Sequence, residues 1–205
     1  HEWRCDMKND TDLRVIKTRK NIIDSFLKLL EKKPLERISV TEICAGANCS
    51  RNTFYLHYPY KEVLYESLID ELIKQVCAGF LSGDREADES FIDYSIRKIR
   101  IMGHSTLSIR DKLLPLMNGG HAEIFFRRLQ SALFITLVES PAADHWPVKS
   151  TDSPYYRLIC WYSAGAIVGF LMGNIYDISM PEEEALDVLC KLHVNTFQVG
   201  EWYLS

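Results

Sequence analysis

The sequence predicts an all-α fold, on three observations. Apolar residues recur every three to four positions along almost all of its 205 residues, and almost nowhere every second position. Prolines and glycines stand at the ends of these periodic stretches, where they start or stop helices. Between Ser39 and Lys61, two helix-start signals enclose one tight reversal, the layout of a helix-turn-helix.

Taken in order, residues 1–13 are a polar leader, disordered or (through residue 6) non-native, with Met7 a natural start. Residues 14–33 form a first helix with Ile16, Ile23, Phe26, Leu27 and Leu30 on one face, stopped by Pro34. Ser39 and Glu42 have the spacing of a capping box, in which each side chain satisfies the other's backbone N–H. Val40, Ile43, Cys44 and Ala47 follow on one apolar face, and Asn48 tolerates the left-handed backbone of a sharp turn. Ser50 caps the next helix. There Phe54 and Tyr58, four apart, face the core and leave Arg51, Asn52, Thr53, Tyr55 and His57 on the other sides. A fourth helix runs from Lys61 through Leu64, Leu68, Leu72 and Val76, and the polar, acidic stretch 82–89 separates a head, 14–80, from a body, 81–205.

The body continues with helices around 90–102 and 105–117, a breaker at Asn118-Gly119-Gly120, a longer helix over 121–139 and a proline-containing loop over 140–153. Two last helices, 154–176 and 181–203, carry proline near their first turns, where no N–H is missed. From 158 to 176 there is no charge, and Gly165, Gly169 and Gly173 recur every fourth residue. Such a stripe suits either a bilayer span or a buried helix whose groove admits another backbone. Ser163, Asn174, two tyrosines and the lack of a basic flank favour the second. With Ala185, Leu189, Leu192 and Thr196 on the helix that follows, two such helices from each of two subunits make a four-helix bundle.

Charge is divided unevenly. The whole chain carries −4, yet residues 14–61 hold ten basic and four acidic residues, so the head is positive and the body acidic. That split suits a DNA-reading head on a body that avoids phosphate. The six cysteines show no CxxC pair and no disulfide framework, and no secretory signal opens the chain, which points to a reducing cytoplasm. Neither His-x-Glu, Gly-x-Ser-x-Gly nor a phosphate-binding glycine loop occurs, so no enzyme site assembles and no cofactor is expected. Cys44, Cys49 and His57 match no common structural zinc spacing, so no metal is expected either.

The segment Ile38-Ser39-Val40-Thr41-Glu42-Ile43, the turn Cys44-Ala45-Gly46-Ala47-Asn48-Cys49-Ser50, the stretch Thr53-Phe54-Tyr55-Leu56-His57-Tyr58 and the join Pro59-Tyr60-Lys61-Glu62 resemble the DNA-binding domain of the TetR family of bacterial transcriptional regulators. The resemblance covers about residues 14–73. It departs at Asn48-Cys49, where the family has Gly-Val, and at Tyr58, where Phe is usual. It implies an N-terminal three-helix DNA-binding domain and a C-terminal helical domain for dimerisation and ligand binding. The implied protein is a homodimeric regulator, a repressor released from a palindromic operator by a small hydrophobic effector. The alternative is a co-regulator or activator of the same fold that works mainly through a protein partner.

By matching to the motif, Thr41 at the second helix's start, Tyr55 and Lys61 contact phosphate. Lys17, Arg19 or Lys20 either add to this or are merely solvated. Arg51, Asn52 and Thr53 open the recognition helix and read bases, Arg51 suiting guanine and Asn52 adenine. His57 lies at the groove wall. In the body, Phe125, Phe126, Phe134, Trp161 and Tyr162 line an effector pocket or serve as ordinary core. Gly165, Gly169, Gly173, Leu189 and Leu192 form the dimer interface.

Overall fold

The computed structural model describes residues 3–81, 86, 88–117, 122–139, 153–176 and 180–202. Among them every regular element is a helix: α1 (Trp3–Leu30), α2 (Val40–Ala47), α3 (Arg51–His57), α4 (Lys61–Leu81), α5 (Phe91–Ser108), α6 (Arg110–Leu116), α7 (Ala122–Val138), α8 (Pro154–Tyr176) and α9 (Glu182–Trp202), with a 3₁₀ turn at Leu35–Arg37. Packing divides the chain into one unit of His1–Asp70 with Asp111–Ala122 and another of Glu71–Arg110 with Glu123–Ser205. The division at 70/71 and the compositional boundary at 80/81 both fall on the continuous α4.

The first unit is built around Ile22, Phe26 and Leu30 of α1, Leu35 and Ile38 beyond it, Ile43 and Ala47 of α2, Phe54 of α3, and Leu64, Leu68 and Ile69 of α4, all buried. Tyr65 adds a ring edge-on to Phe26 at 6.5 Å, and its hydroxyl donates to the Leu116 carbonyl at 3.0 Å. Burial pushes that phenol up to about 12. One element of the apolar face needs correction. Ile16 is exposed, and Ile22, not in the expected set, is fully buried. Period alone sets the face but not how far along it the neighbouring helices reach, and here the core begins a turn and a half after Ile16. The backbone of α1 also continues back to Trp3, ahead of residue 14. The side chains of the leader before Leu13 lie outside the described residues.

In the second unit α5, α8 and α9 pack on one another. Ile99, Leu189 and Cys190 form a buried cluster, with Ile96 and Phe170 against it. Around its rim Arg100 pairs with Glu183 at 3.3 Å and with Asp187, and His104 Nδ1 meets Glu182 Oε1 at 3.1 Å. The expected break near residues 103–104 is absent. α5 runs on to Ser108 and is capped at Ile109, because Gly103 lies under Leu186, where a Cβ would collide with that side chain. The glycine serves close helix approach, not helix ending. The breaker Asn118-Gly119-Gly120 and the loop over 140–152 lie outside the described residues.

α8 turns Tyr156, Cys160, Ala164, Ile167, Val168 and Leu171 inward. Tyr155, Leu158, Tyr162, Gly169, Gly173 and Tyr176 remain exposed. By length and composition its residues 154–174 are apolar enough to cross a membrane; 39% of that apolar run is buried in the fold, on the helical spacing of a core-facing stripe.

Candidate nucleic-acid interface

The surface is assembled by two capped helix starts and the turn between them. The Ser39 hydroxyl accepts from the Glu42 N–H at 3.3 Å, and Glu42 Oε2 accepts from the Ser39 N–H at 3.0 Å, completing the capping box. Lys33 Nζ donates to the other oxygen of Glu42; that bond first, and those from Ser39 next, hold the carboxyl down to about 2. Thr41 is exposed in the same first turn, where N–H groups have no partner within their own helix.

Asn48 ends α2 in the left-handed region (φ 51°, ψ 47°), the sole positive-φ non-glycine residue among those described. Its N–H donates to the Ala45 carbonyl at 3.4 Å and the Cys49 N–H to the Cys44 carbonyl at 3.1 Å, the paired bonds of a Schellman motif. Asparagine thus performs the reversal that glycine performs more cheaply. Two residues on, the Ser50 hydroxyl accepts from the Thr53 N–H at 3.0 Å and lies 2.8 Å from Thr53 Oγ1. The Cys44 thiol donates to the Ser50 carbonyl at 3.8 Å, tying the end of α2 to the start of α3.

Phe54 and Tyr58 anchor α3 in the core, as their spacing predicts. Tyr58's hydroxyl accepts from Arg19 Nε at 3.1 Å, so Arg19 is engaged inside the head. The opposite side of α3 presents Arg51, Asn52 and Tyr55 to solvent, with Thr53 and His57 half-buried beside them. A hydrogen bond from the Arg51 guanidinium to the Tyr55 hydroxyl, one turn on, raises the arginine's pKa further and keeps it charged. Leu56 shares that face at 86% exposure, and Tyr60 follows at 64%. Neither was among the expected site residues. The signal was present: Leu56 stands four after Asn52 and out of phase with Phe54 and Tyr58.

Lys17 is exposed on α1. Lys61 is placed otherwise. Its ammonium donates to the carbonyls of Leu35 (2.8 Å), Ile38 (2.7 Å) and Glu36 (3.2 Å), closing the 3₁₀ turn against the start of α4. In the second unit Phe125 is buried edge-on to Phe126, and Phe134 stacks on Trp161 at 4.4 Å with the Arg157 guanidinium over its ring. Trp161 and Tyr162 are exposed. Of the small-residue stripe, Gly165 faces Gln130, whereas a Cβ at Gly169 or Gly173 would meet nothing within 4 Å. Leu189 is already buried within its own unit and Leu192 is exposed.

Residues 22–68 match the family model of bacterial regulatory proteins of the tetR family. The head is therefore similar to the DNA-binding domain that this model describes. It is 46% identical over 59 residues to the HTH-type transcriptional regulator EthR of Mycolicibacterium smegmatis, covering 29% of this chain and 27% of that protein. It is 37% identical over 67 residues to EthR of Mycobacterium tuberculosis, covering 33% and 28%. The matches thus span little more than a quarter of the length of these relatives. Over nearly the whole chain the fold is that of a TetR transcriptional regulator from Streptococcus agalactiae (TM-score 0.60, 22% identity, 91% of this chain and 98% of that one). It is also that of a tetR-family regulator from Streptomyces coelicolor (TM-score 0.65, 17% identity, 91% and 82%).

Proposed function

We propose that this chain is a cytoplasmic, non-enzymatic regulator that pairs as a homodimer and sets α3 of each copy into the major groove of a palindromic operator. It represses until a small hydrophobic effector releases it. The observation that carries the reading is the α3 surface itself: Arg51, Asn52 and Tyr55 held outward by a doubly capped α2–turn–α3 unit in a positively charged head. Arg51 suits the O6/N7 edge of guanine and Asn52 the N6/N7 edge of adenine. Leu56 offers the apolar contact a thymine methyl takes. Thr53 stiffens the helix start, and His57 stands at the groove wall. Lys17, the α2 N-terminus at Thr41, and Tyr55 supply phosphate contacts, which give most of the affinity and position the head. Lys61 acts from within, by fixing α4 to the 3₁₀ turn.

Pairing follows from the outer face of α8, uncharged from residue 158 onward and open at Gly169 and Gly173, and from exposed Leu192 on α9. An effector that favours a head spacing other than about 34–36 Å, or a multiple, releases DNA by linkage. The stacked Phe134 and Trp161, the Phe125–Phe126 pair and Tyr162 are the aromatic groups that would take such a role. Selection of bound fragments from random duplex DNA tests the reading. A two-fold symmetric site with half-sites one turn apart, bound with a steep loss of affinity as salt rises, is the expected result. No enriched sequence from the protein alone would overturn it in favour of action through a protein partner.

A further inference from the structure

We infer that Cys44 and Cys49 close a reversible disulfide across the turn of the helix-turn-helix, and that closing it weakens DNA binding. The second half rests on the function proposed above; the first does not. The argument starts from the turn's own hydrogen bonds. In a Schellman motif the residue after the left-handed position comes back onto the residue that accepts its N–H, and an apolar side-chain contact accompanies the bond. Here those two positions are Cys49 and Cys44, joined N–H to carbonyl at 3.1 Å. A bond between the two residues' own peptide groups brings their backbones within the short span a disulfide bridges. After burial, the Cys49 thiol is the group that pushes the Cys44 thiol's pKa up most. The motif that reverses the chain therefore places two sulfurs where it usually places two hydrocarbons.

The two thiols differ in access. Cys44 is 5% exposed, and burial pushes it up to about 11, whereas Cys49 is partly open to solvent. Cys77, Cys160 and Cys190 are buried in the other unit. Cys49 is thus the sulfur that meets a hydroperoxide. Its thiolate attacks hydrogen peroxide, the O–O bond breaks, Cys49 sulfenic acid forms, and the departing hydroxide takes up the proton the thiol gave up and leaves as one water. The Cys44 sulfur then attacks the Cys49 sulfur, the S–O bond breaks, and the second water leaves with the Cys44 proton. The peroxide gains two electrons, the two thiols lose them, and a dithiol reductant reverses the change.

The proton lost from Cys44 is the one it donates to the Ser50 carbonyl, the contact that ties α2 to the cap of α3. The new S–S bond, about 2.05 Å long, draws the sulfurs far inside their van der Waals separation. α3 is only seven residues long, and Arg51 and Asn52 follow Ser50 directly, so the displacement falls on the reading face.

The test uses the purified reduced chain, hydrogen peroxide as oxidant, and alkylation with peptide mapping as readout. DNA binding is measured on a site captured by selection. The expected result is a Cys44–Cys49 linked peptide two hydrogens lighter, with affinity lowered about tenfold or more and restored by dithiothreitol. Cys49→Val keeps an apolar contact at the turn; it should bind as the reduced protein does and ignore peroxide. Cys49 ending as sulfinic acid, or both thiols remaining free, would overturn the disulfide. A linked peptide with unchanged affinity would overturn the switch. If the reduced protein selects no DNA, the functional reading fails, while the mapping still decides the disulfide.

Discussion

Gly46 and Ser25 lie in direct contact across α2 and α1: a Cβ on Gly46 would run into Ser25 Oγ and stand 3.1 Å from Ser25 Cβ. The same hydroxyl donates to the Ile43 carbonyl at 2.9 Å, so the residue that would be struck is also one that fastens the two helices. Overpacking a fixed contact of this kind costs about 1–3 kcal/mol. Gly46→Ala should lower the denaturant midpoint of the head accordingly, and Ser25→Gly in the same molecule should recover much of the loss. If the double variant is as unstable as the sum of the two singles, the clash is not the cause.

Arg51 and Tyr55 act as a pair, since the guanidinium bonds the phenol one helical turn away. Arg51→Ala should cost about 1–3 kcal/mol of operator binding and relax the preference at one base pair. Tyr55→Phe, by freeing the guanidinium and removing a hydroxyl, should weaken binding across all sequences. Both residues are exposed, so thermal stability should hardly move. Variants that bind as the parent does would show that α3 does not present this face to DNA.

Lys61 separates two roles that its position in the sequence leaves joined. A phosphate contact would change the salt dependence of DNA binding when removed. The three carbonyls around its ammonium instead predict that Lys61→Met destabilises the head, by about 1.5–3 kcal/mol for charge-assisted hydrogen bonds. Measured together, the melting temperature should fall and the salt slope should stay within one phosphate of the parent. A full-strength fold with a shallower slope would return Lys61 to the DNA surface.

What was legible in the chain was what is decided locally. Ser39 and Glu42, Asn48, Ser50 and Thr53 interact within one to four residues, and their geometry follows from side-chain chemistry and the helix period. Residues decided by distant partners were not legible. Ile16 fits the apolar face but lies beyond the helices that cover it, while Gly103 is shaped by Leu186, eighty-three positions on. Lys61 reaches carbonyls more than twenty residues earlier. Leu56 is the opposite case: the period placed it outward, but an outward leucine has no meaning until the helix carrying it is known to face DNA.

His193 is buried, and burial lowers it from 6.5 to about 4. The unfolded chain therefore binds more protons than the folded one between about pH 4 and 6.5, and stability rises with pH across that window. The contribution is complete above the upper limit and is lost as pH falls to the lower one, a change of about 3 kcal/mol at 1.36 kcal/mol per pH unit. Urea unfolding at pH 7 and pH 4.5 should show the loss, and His193→Gln should flatten it. An unchanged pH profile in that variant would assign the acid sensitivity to other groups.

The exposed face of α8 yields the last prediction. Leu158, Tyr162, Gly169, Gly173 and Tyr176 leave an uncharged surface from residue 158 onward, with open space above its two glycines. Leu189, by contrast, is already spent inside its own unit. Gly169→Arg puts a charge where a second copy would pack, and a desolvated, unpaired charge there costs several kcal/mol. In one chain alone the same side chain projects into solvent. The variant should therefore keep its melting behaviour as a monomer, sediment at half the parent's mass, and lose affinity for the full palindrome while retaining weak binding to one half-site. Retention of the dimer would move the interface off α8, and a drop in monomer stability would mean that the glycine faces the fold's own interior.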